Sequence, residues 1–177
     1  DPMAVEAQIA YVRSIVCRFR YVPFLSYDLI NEPSFTNPAR PWKGNVPNGD
    51  VKELADWHRW LELHYTSVDK LARAWRTSPA ELRAFEDIPL PSAADLELAR
   101  SGNQRSVRAV DYNLFAQDAF CRWVDTMTRA IRAAGSEQMV TVGQDEGGVT
   151  DRVLNQFWAD SPVNYTVNHS WWRDDAL

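Results

Sequence analysis

The sequence is poor in the residues on which several common kinds of site depend. It has two cysteines, Cys17 and Cys121, in 177 residues, so it can form neither a disulfide framework nor a four-ligand zinc site of cysteines. Both cysteines fall in predicted helices, where a small buried side chain is their expected role. There is no glycine-rich phosphate loop and no Gly-x-Ser-x-Gly turn, which disfavours nucleotide enzymes and serine hydrolases. We predict no metal site and no cofactor.

The chain also lacks the marks of membrane and nucleic-acid proteins. No apolar run reaches the roughly 18 residues that crossing a bilayer requires. The net charge is -5, and the arginines are scattered among acids, which disfavours binding to a phosphate backbone. The predicted partners therefore include neither nucleic acid nor membrane. The first six residues show no basic start and no apolar core of a secretion signal, and localisation stays open.

Tryptophan is abundant, with eight residues in the chain. Flat aromatic rings stack on the apolar faces of sugar rings, so this composition suits a carbohydrate ligand. Packing is nevertheless the more common role of a single tryptophan, and we expect Trp42, Trp57 and Trp60 to pack the segment that contains them onto the rest of the domain.

Three apolar segments predict β-strands. Residues 24–33 are rich in Phe, Leu, Tyr and Ile and are closed by Pro33, which predicts a short strand covered on both faces. Residues 139–143 and 163–168 predict two more. Since helices are predicted between them, the strands should form a parallel sheet through right-handed crossovers. The fold class is α/β.

Apolar periodicity and capping residues predict the helices. The longest ends at Gly135 and buries a stripe that runs from Val110 to Ile131. A capping box of Asp50 and Glu53 begins another helix, and Ser78 followed by proline gives a firm start to a third. The predicted helices lie at 4–20, after Asp50, Ser67 and Ser78, at 107–134 and at 150–158.

A long segment separates the first strand from the helix that should follow it. Residues 34–106 contain several predicted helices, whereas loops at this position usually have about 2 to 6 residues. We interpret residues 34–106 as a helical insertion. Such an insertion at the carboxyl ends of the strands usually shapes a binding site.

The first predicted strand ends in an amide and a carboxylic acid, Asn31 and Glu32. In barrels of alternating strands and helices, the carboxyl ends of the strands hold the active site. A carboxylic acid at that place can protonate the leaving oxygen of a glycosidic bond. A neighbouring amide can hydrogen-bond the 2-hydroxyl of the sugar as charge develops on the ring. The pair therefore predicts a glycosidase.

Several motifs resemble known glycosidases. Residues 27–33 look like the fourth strand of the clan A retaining glycoside hydrolases, which are (β/α)8 TIM barrels. Residues 64–75 and 85–91, followed by Val110-Asp111-Tyr112 and the long helix, resemble glycoside hydrolase family 42, the beta-galactosidases. The Asn-Glu-Pro form is also typical of family 5 cellulases and mannanases. The resemblance implies that residues 1–177 form a central portion of a TIM-barrel catalytic domain, about strands 4 to 6 with their helices.

The resemblance also implies residue roles. Glu32 matches the general acid/base of a retaining double displacement, and Asn31 matches the residue at the 2-hydroxyl. The nucleophile of this clan is a glutamate at the end of the seventh strand, which we expect outside this chain. The remaining candidates are predicted to bind substrate at the rim; they are Gln144, Glu146, His169, Trp171 and Trp172.

Other interpretations remain open at this stage. Glu146 or Asp145 is a weaker candidate for the second carboxylate, because both follow the neighbouring strand. The protein could also be a carbohydrate-binding barrel without catalysis. If the 177 residues were the whole molecule, unpaired strand edges would favour association, so the remaining barrel segments are predicted partners beside the carbohydrate.

Overall fold

A computed structural model provides the architecture and forms two compact units. The sheet unit holds the three strands, the first helix and the longest helix from Gln117 onward. The helical unit holds the helices of the predicted insertion and the first ten residues of that longest helix. The structure describes residues 1–31, 47–92, 94–95, 107–144, 163–165 and 167–168. The predicted helix at 150–158 lies outside these ranges.

The sheet unit is built on three strands, β1 (Tyr27–Asn31), β2 (Val140–Gln144) and β3 (Val167–Asn168). Their order is β1-β2-β3, and both neighbouring pairs are parallel. The parallel α/β arrangement predicted from the sequence is confirmed for these strands. β2 begins and ends one residue later than predicted, and β3 is shorter than the predicted strand at 163–168.

Helix α1 (Pro2–Phe19) precedes β1 and covers one face of the sheet. The Asp1 carboxylate caps it by accepting from the Met3 N–H at 3.0 Å. Val16 on α1 forms a buried cluster with Ile131 and Val140. Tyr27 and Leu29 of β1 pack against this cluster from the edge strand. The burial of these apolar side chains fixes α1 and the sheet together.

Two predictions about this unit are wrong. β1 is not covered on both faces, because its side chains alternate: Tyr27 and Leu29 are half-buried, and Asp28 and Ile30 are exposed. Phe24 is 98% exposed and lies in the turn before the strand. Cys17 is exposed rather than buried, because it follows Val16 and points about 100° away from it around the helix.

Helix α4 (Val107–Ala133) ends as predicted, with Gly135 in the left-handed region at φ +84°. Its buried side changes along its length, because its two halves belong to different cores. Tyr112 and Phe115 are buried in the helical unit, and Ile131 is buried in the sheet unit. The prediction of one continuous buried stripe of side chains is therefore wrong at Val110, which is 40% exposed.

The helical unit begins with α2 (Val51–Tyr65) and α3 (Val68–Trp75). The Asp50 carboxylate caps α2 by accepting from the backbone N–H groups of Lys52 and Glu53 at 2.8 and 2.9 Å. Glu53 accepts in turn from the Gly49 N–H at 2.7 Å, one residue before the position expected in a capping box. The Ser67 hydroxyl caps α3. The predicted starts of both helices are confirmed.

The helix predicted after Ser78 is only a single 3-10 turn, Pro79–Glu81. The Ser78 hydroxyl accepts from the Ala80 N–H at 3.3 Å, so the capping signal is present. The chain then turns so that both Leu82 and Phe85 pack against the core of the unit, which ends the helix early. A second 3-10 turn follows at Phe85–Asp87.

Tryptophans form the centre of the helical unit. Trp57 is fully buried and stacks on Trp60, with ring centroids 5.7 Å apart, and on Trp75 at 6.5 Å. Tyr112 and Phe115 of α4 meet Trp57 edge-on at 5.9 and 5.5 Å. Trp57 and Trp60 therefore pack the core of their own unit. Trp42 lies outside the described residues.

A buried carboxylate ties α4 to the other helices of the unit. Asp111 is only 4% exposed, and its Oδ2 accepts from the Tyr65 hydroxyl and from the Trp75 Nε1–H, each at 2.6 Å. From the next residue, the Tyr112 hydroxyl donates to Glu53 Oε1 at 2.6 Å. These bonds satisfy polar groups inside the aromatic core, where an unpaired group would be costly.

We expect Asp111→Ala to destabilise the protein by about 2 to 4 kcal/mol, because two donors lose one buried acceptor and each unpaired donor costs about 1–3 kcal/mol. Urea unfolding of the intact protein measures the change. Asp56→Ala, at an exposed aspartate of α2, is the control and should be neutral within about 0.5 kcal/mol. Equal stability of both variants would contradict this account of the core.

Candidate active site

The carboxyl ends of the three strands meet at one edge of the sheet. Asn31 of β1 lies opposite Gly143 of β2, and Gln144 of β2 lies opposite Asn168 of β3. Three amide residues, Asn31, Gln144 and Asn168, thus end neighbouring parallel strands. In parallel α/β folds, ligands bind at this edge. It is the candidate active site.

The register of β1 changes just before this edge. Asp28 lies opposite Thr141, and Asn31 lies opposite Gly143. Between these two points β1 advances by three residues and β2 by two, so β1 carries one extra residue. This irregularity is a β-bulge. Bulges are frequent at the rims of barrels and beside active sites, where they change the direction of a side chain.

The Asp28 side chain bridges the two strands at the bulge. Its Oδ1 accepts from the backbone N–H of Gly143 at 2.8 Å. A bulge interrupts the ladder of backbone hydrogen bonds, and an interrupted amide needs another acceptor. Sequence reasoning missed Asp28. The available signal was an acidic residue inside an otherwise apolar strand segment, where a charge needs a partner.

The amino ends of the strands are held by a separate polar network. Gln138, just before β2, accepts from the Tyr27 hydroxyl at 2.7 Å and donates to the Phe19 carbonyl at 3.2 Å. Arg132 of α4 donates to the Gln138 carbonyl at 2.8 Å. Asn164 pairs with Val140 twice, through its backbone N–H and its side-chain oxygen, each at 2.8 Å. The strands are therefore fixed at the edge away from the candidate site.

The structure places two of the predicted site residues. Asn31 is the exposed last residue of β1, and Gln144 is the last residue of β2, so both lie at the candidate edge. The other predicted residues fall outside the described part of the chain. They are the acid/base Glu32 and the rim residues Glu146, His169, Trp171 and Trp172.

The histidines of the helical unit belong to its packing. His58 is half-buried, and its Nε2 lies 2.8 Å from the Ile88 carbonyl oxygen. The exposed His64 stacks on Trp60 with ring centroids 4.7 Å apart. Within the described ranges, no group of three or more His, Cys, Asp or Glu is arranged to hold a metal ion. No helix described is long and apolar enough to cross a bilayer.

An open cavity of about 710 Å³ lies within the helical unit, with Trp75 and Arg108 in its wall. The Trp75 ring stacks on Trp57 and faces the Arg108 guanidinium at 5.5 Å, and its Nε1–H is donated to Asp111. Arg108 in turn donates to the carbonyls of Pro89 and Leu90. These side chains serve the packing of the unit, so the cavity is a weaker candidate than the strand edge.

The clearest pKa changes among the described groups lie in the helical unit. Burial, and then the hydrogen bond to Glu53, raises the pKa of Tyr112 well above its ordinary value. Burial and the hydrogen bond to Asp111 act on Tyr65 in the same direction. Hydrogen bonds from the Glu53 amide, the Asn48 side chain and the Lys52 amide lower the pKa of Asp50. These shifts follow from structural hydrogen bonds.

Arg108 and Asp95 also titrate away from their ordinary values. Burial lowers the pKa of Arg108 against the opposing effect of the Asp95 charge. For Asp95, burial alone would raise the pKa, but hydrogen bonds from the side chain and backbone of Ser92, together with the Arg108 charge, lower it. The two groups therefore support each other's charged forms beside the 3-10 turns.

Comparison with known families finds one family model that matches most of the chain. The sequence model of glycoside hydrolase family 42, described as beta-galactosidase, matches residues 50–174. The chain belongs to glycoside hydrolase family 42. The match confirms the predicted resemblance to this family. Family 42 membership implies a TIM barrel, of which β1, β2 and β3 would be neighbouring strands.

One curated relative of this family 42 chain is the beta-galactosidase YesZ of Bacillus licheniformis. The two sequences are 30% identical over 79 residues, which is 44% of this chain and 11% of YesZ. The family 42 chain therefore spans only a small part of the length of the relative that it matches.

The raised pKa of Tyr112 predicts a stability loss at high pH. An unfolded tyrosine loses its proton near pH 10, whereas buried Tyr112 keeps it. Its contribution is full below about pH 10 and is lost progressively as the pH rises above that value toward the pKa of the folded state, by at most about 1.4 kcal/mol per pH unit.

We expect Tyr112→Phe to flatten the fall of the unfolding free energy between about pH 9.5 and 11.5. Urea titrations at several pH values measure the slope. Tyr11→Phe, at an exposed tyrosine of α1, should keep the slope of the unmodified protein. A Tyr112→Phe variant with an unchanged slope would contradict the raised pKa.

Proposed function

We propose that the intact protein hydrolyses beta-galactosides or closely related beta-glycosides with retention of configuration. The observation that carries this proposal is the position of Asn31 at the carboxyl end of a parallel strand, in a chain of glycoside hydrolase family 42. Glycoside cleavage requires polar groups grouped at one edge, and the strand ends supply them. The substrate is a carbohydrate.

In this mechanism Glu32 is the general acid/base. It protonates the leaving glycosidic oxygen in the first step and deprotonates the attacking water in the second. Asn31 donates a hydrogen bond to the 2-hydroxyl, a contact that strengthens as the ring becomes positively charged. The second carboxylate, which attacks the anomeric carbon, comes from a glutamate on another strand of the barrel. The two carboxyl groups would stand about 5 to 5.5 Å apart.

The rim residues would set how the sugar binds. Gln144 ends the strand beside Asn31 and can donate or accept hydrogen bonds with sugar hydroxyls. Glu146 follows on the same rim in sequence, and His169, Trp171 and Trp172 follow β3. An aromatic ring at this edge would stack on the apolar face of a galactosyl unit.

The proposal also covers the organisation of the chain. Residues 1–177 would be a central part of the catalytic barrel, with β1, β2 and β3 as its fourth, fifth and sixth strands. Residues 34–106 would be a helical insertion that follows the acid/base strand. Its own aromatic core supports this assignment, because an insertion that packs internally can extend from a barrel loop without disturbing the sheet.

We expect Glu32→Gln to lower the kcat of the intact protein on aryl beta-galactosides by about 100- to 10,000-fold, because a glutamine cannot transfer the proton. The loss in the first step should be much smaller for a dinitrophenyl galactoside, whose leaving group needs no proton. Steady-state and burst kinetics on the two substrates measure the difference.

Glu137→Gln, at an exposed glutamate before β2, is the matched control and should leave kcat unchanged. Unaltered turnover by Glu32→Gln would overturn the assignment of the acid/base. Binding of galactosides by the intact protein without turnover would instead favour a carbohydrate-binding barrel.

A further inference from the structure

The bulge in β1 decides the face of the sheet on which Asn31 lies. Side chains alternate along a strand, so a regular β1 would put Asn31 on the side of Tyr27 and Leu29. Those two residues pack against the buried cluster of Val16 and Ile131 beside the helices. In a regular strand Asn31 would therefore face the helical layer.

The observed pairing gives the opposite result. Residues directly opposite each other on neighbouring strands share a face, and Asn31 lies opposite Gly143. Gly143 and Thr141 are two residues apart on β2, so they share a face as well. Thr141 lies opposite Asp28. The extra residue thus brings Asn31 to the face of Asp28, away from the helical layer.

We propose that Asp28 is a positioning residue, whose carboxylate holds the Gly143 amide and so maintains the bulge that turns Asn31 toward the substrate. This inference rests on the proposed function and goes one step further into the same site. Asp28 does not touch the sugar in this account. It acts only through the backbone of the neighbouring strand and through Asn31.

The contact is well suited to this role. The Gly143 amide is buried, and the bond from it to Asp28 Oδ1 is 2.8 Å long. A bond from a backbone N–H to a carboxylate is stronger than a neutral one. The bulge lies between Asp28 and Asn31, only three positions apart. Removing the acceptor would leave a buried amide unpaired and allow the strand to slip toward the regular register.

Asp28→Leu and Asp28→Asn in the intact protein test the inference. Leucine has a similar size but cannot accept the bond, whereas asparagine keeps an oxygen acceptor. We expect Asp28→Leu to lower kcat by about 10- to 100-fold with little change in KM, since the 2-hydroxyl contact matters most in the transition state. Asp28→Asn should restore kcat to within about threefold of the unmodified protein.

A second substrate separates positioning from a general loss of structure. For a beta-galactoside and its 2-deoxy analogue, the ratio of kcat/KM values reports the contact with the 2-hydroxyl. We expect Asp28→Leu to reduce this ratio about tenfold or more. When Asn31→Ala is already present, Asp28→Leu should cause little further reduction of the ratio. A misfolded fraction would lower kcat/KM equally for both substrates. Asp56→Leu, at an exposed position on α2, is the control for the added leucine.

The outcomes are distinguishable. An intact, unmodified protein that turns over no beta-galactoside would overturn the proposed function, and with it this inference. An active protein in which Asp28→Leu keeps the substrate ratio would overturn the inference alone. Amide hydrogen exchange gives an independent measurement: protection of Gly143 should fall about tenfold or more in Asp28→Leu and persist in Asp28→Asn, and unchanged protection in Asp28→Leu would also overturn it.

Discussion

The parallel pairing of β1 with β2 is the constraint on which the sheet unit depends. It joins Tyr27 to Val140, which are separated by the whole helical unit in sequence. Closing a long loop costs little more than closing a shorter one, about 0.6 kcal/mol for each doubling of length. The buried cluster of Val16, Ile131 and Val140 offsets this cost next to the paired strands. A long segment between the two strands can therefore be accommodated at this crossover.

The helical unit between the paired strands packs on itself. Its core is a stack of Trp57, Trp60 and Trp75 closed by aromatic residues of α4, with Asp111 as the buried acceptor of two donors. Aromatic rings bury much area with few rotatable bonds, so they stabilise a small unit at low entropic cost. Of the four tryptophans in the described ranges, three pack this core. The prediction that a tryptophan ring stacks on a sugar now concerns Trp171 and Trp172, which follow β3 in sequence.

Sequence reasoning succeeded where a local signal determines a local structure. Asp50, Ser67 and Gly135 mark helix ends through their own hydrogen bonds or backbone freedom, and all three ends are confirmed. It failed where tertiary contacts decide, as at Val110 on a helix shared by two cores, and after Ser78, where packing of Leu82 and Phe85 ends the helix. At the candidate site, Asn31 and Gln144 were predicted at strand ends, and Asp28 was not.

The bulge explains why Asp28 could not be found from periodicity. An extra residue changes the face of every later side chain in the strand, yet it leaves no trace in an apolar run that lacks alternation. A regular strand would bury Tyr27 and Leu29 and would then aim Asn31 at the same helical layer. If Asn31 acts as proposed, packing and chemistry make opposite demands on one short strand, and an irregular register satisfies both. Under that proposal the strand departs from local rules where function requires it, and the charged Asp28 beside the bulge is the visible sign.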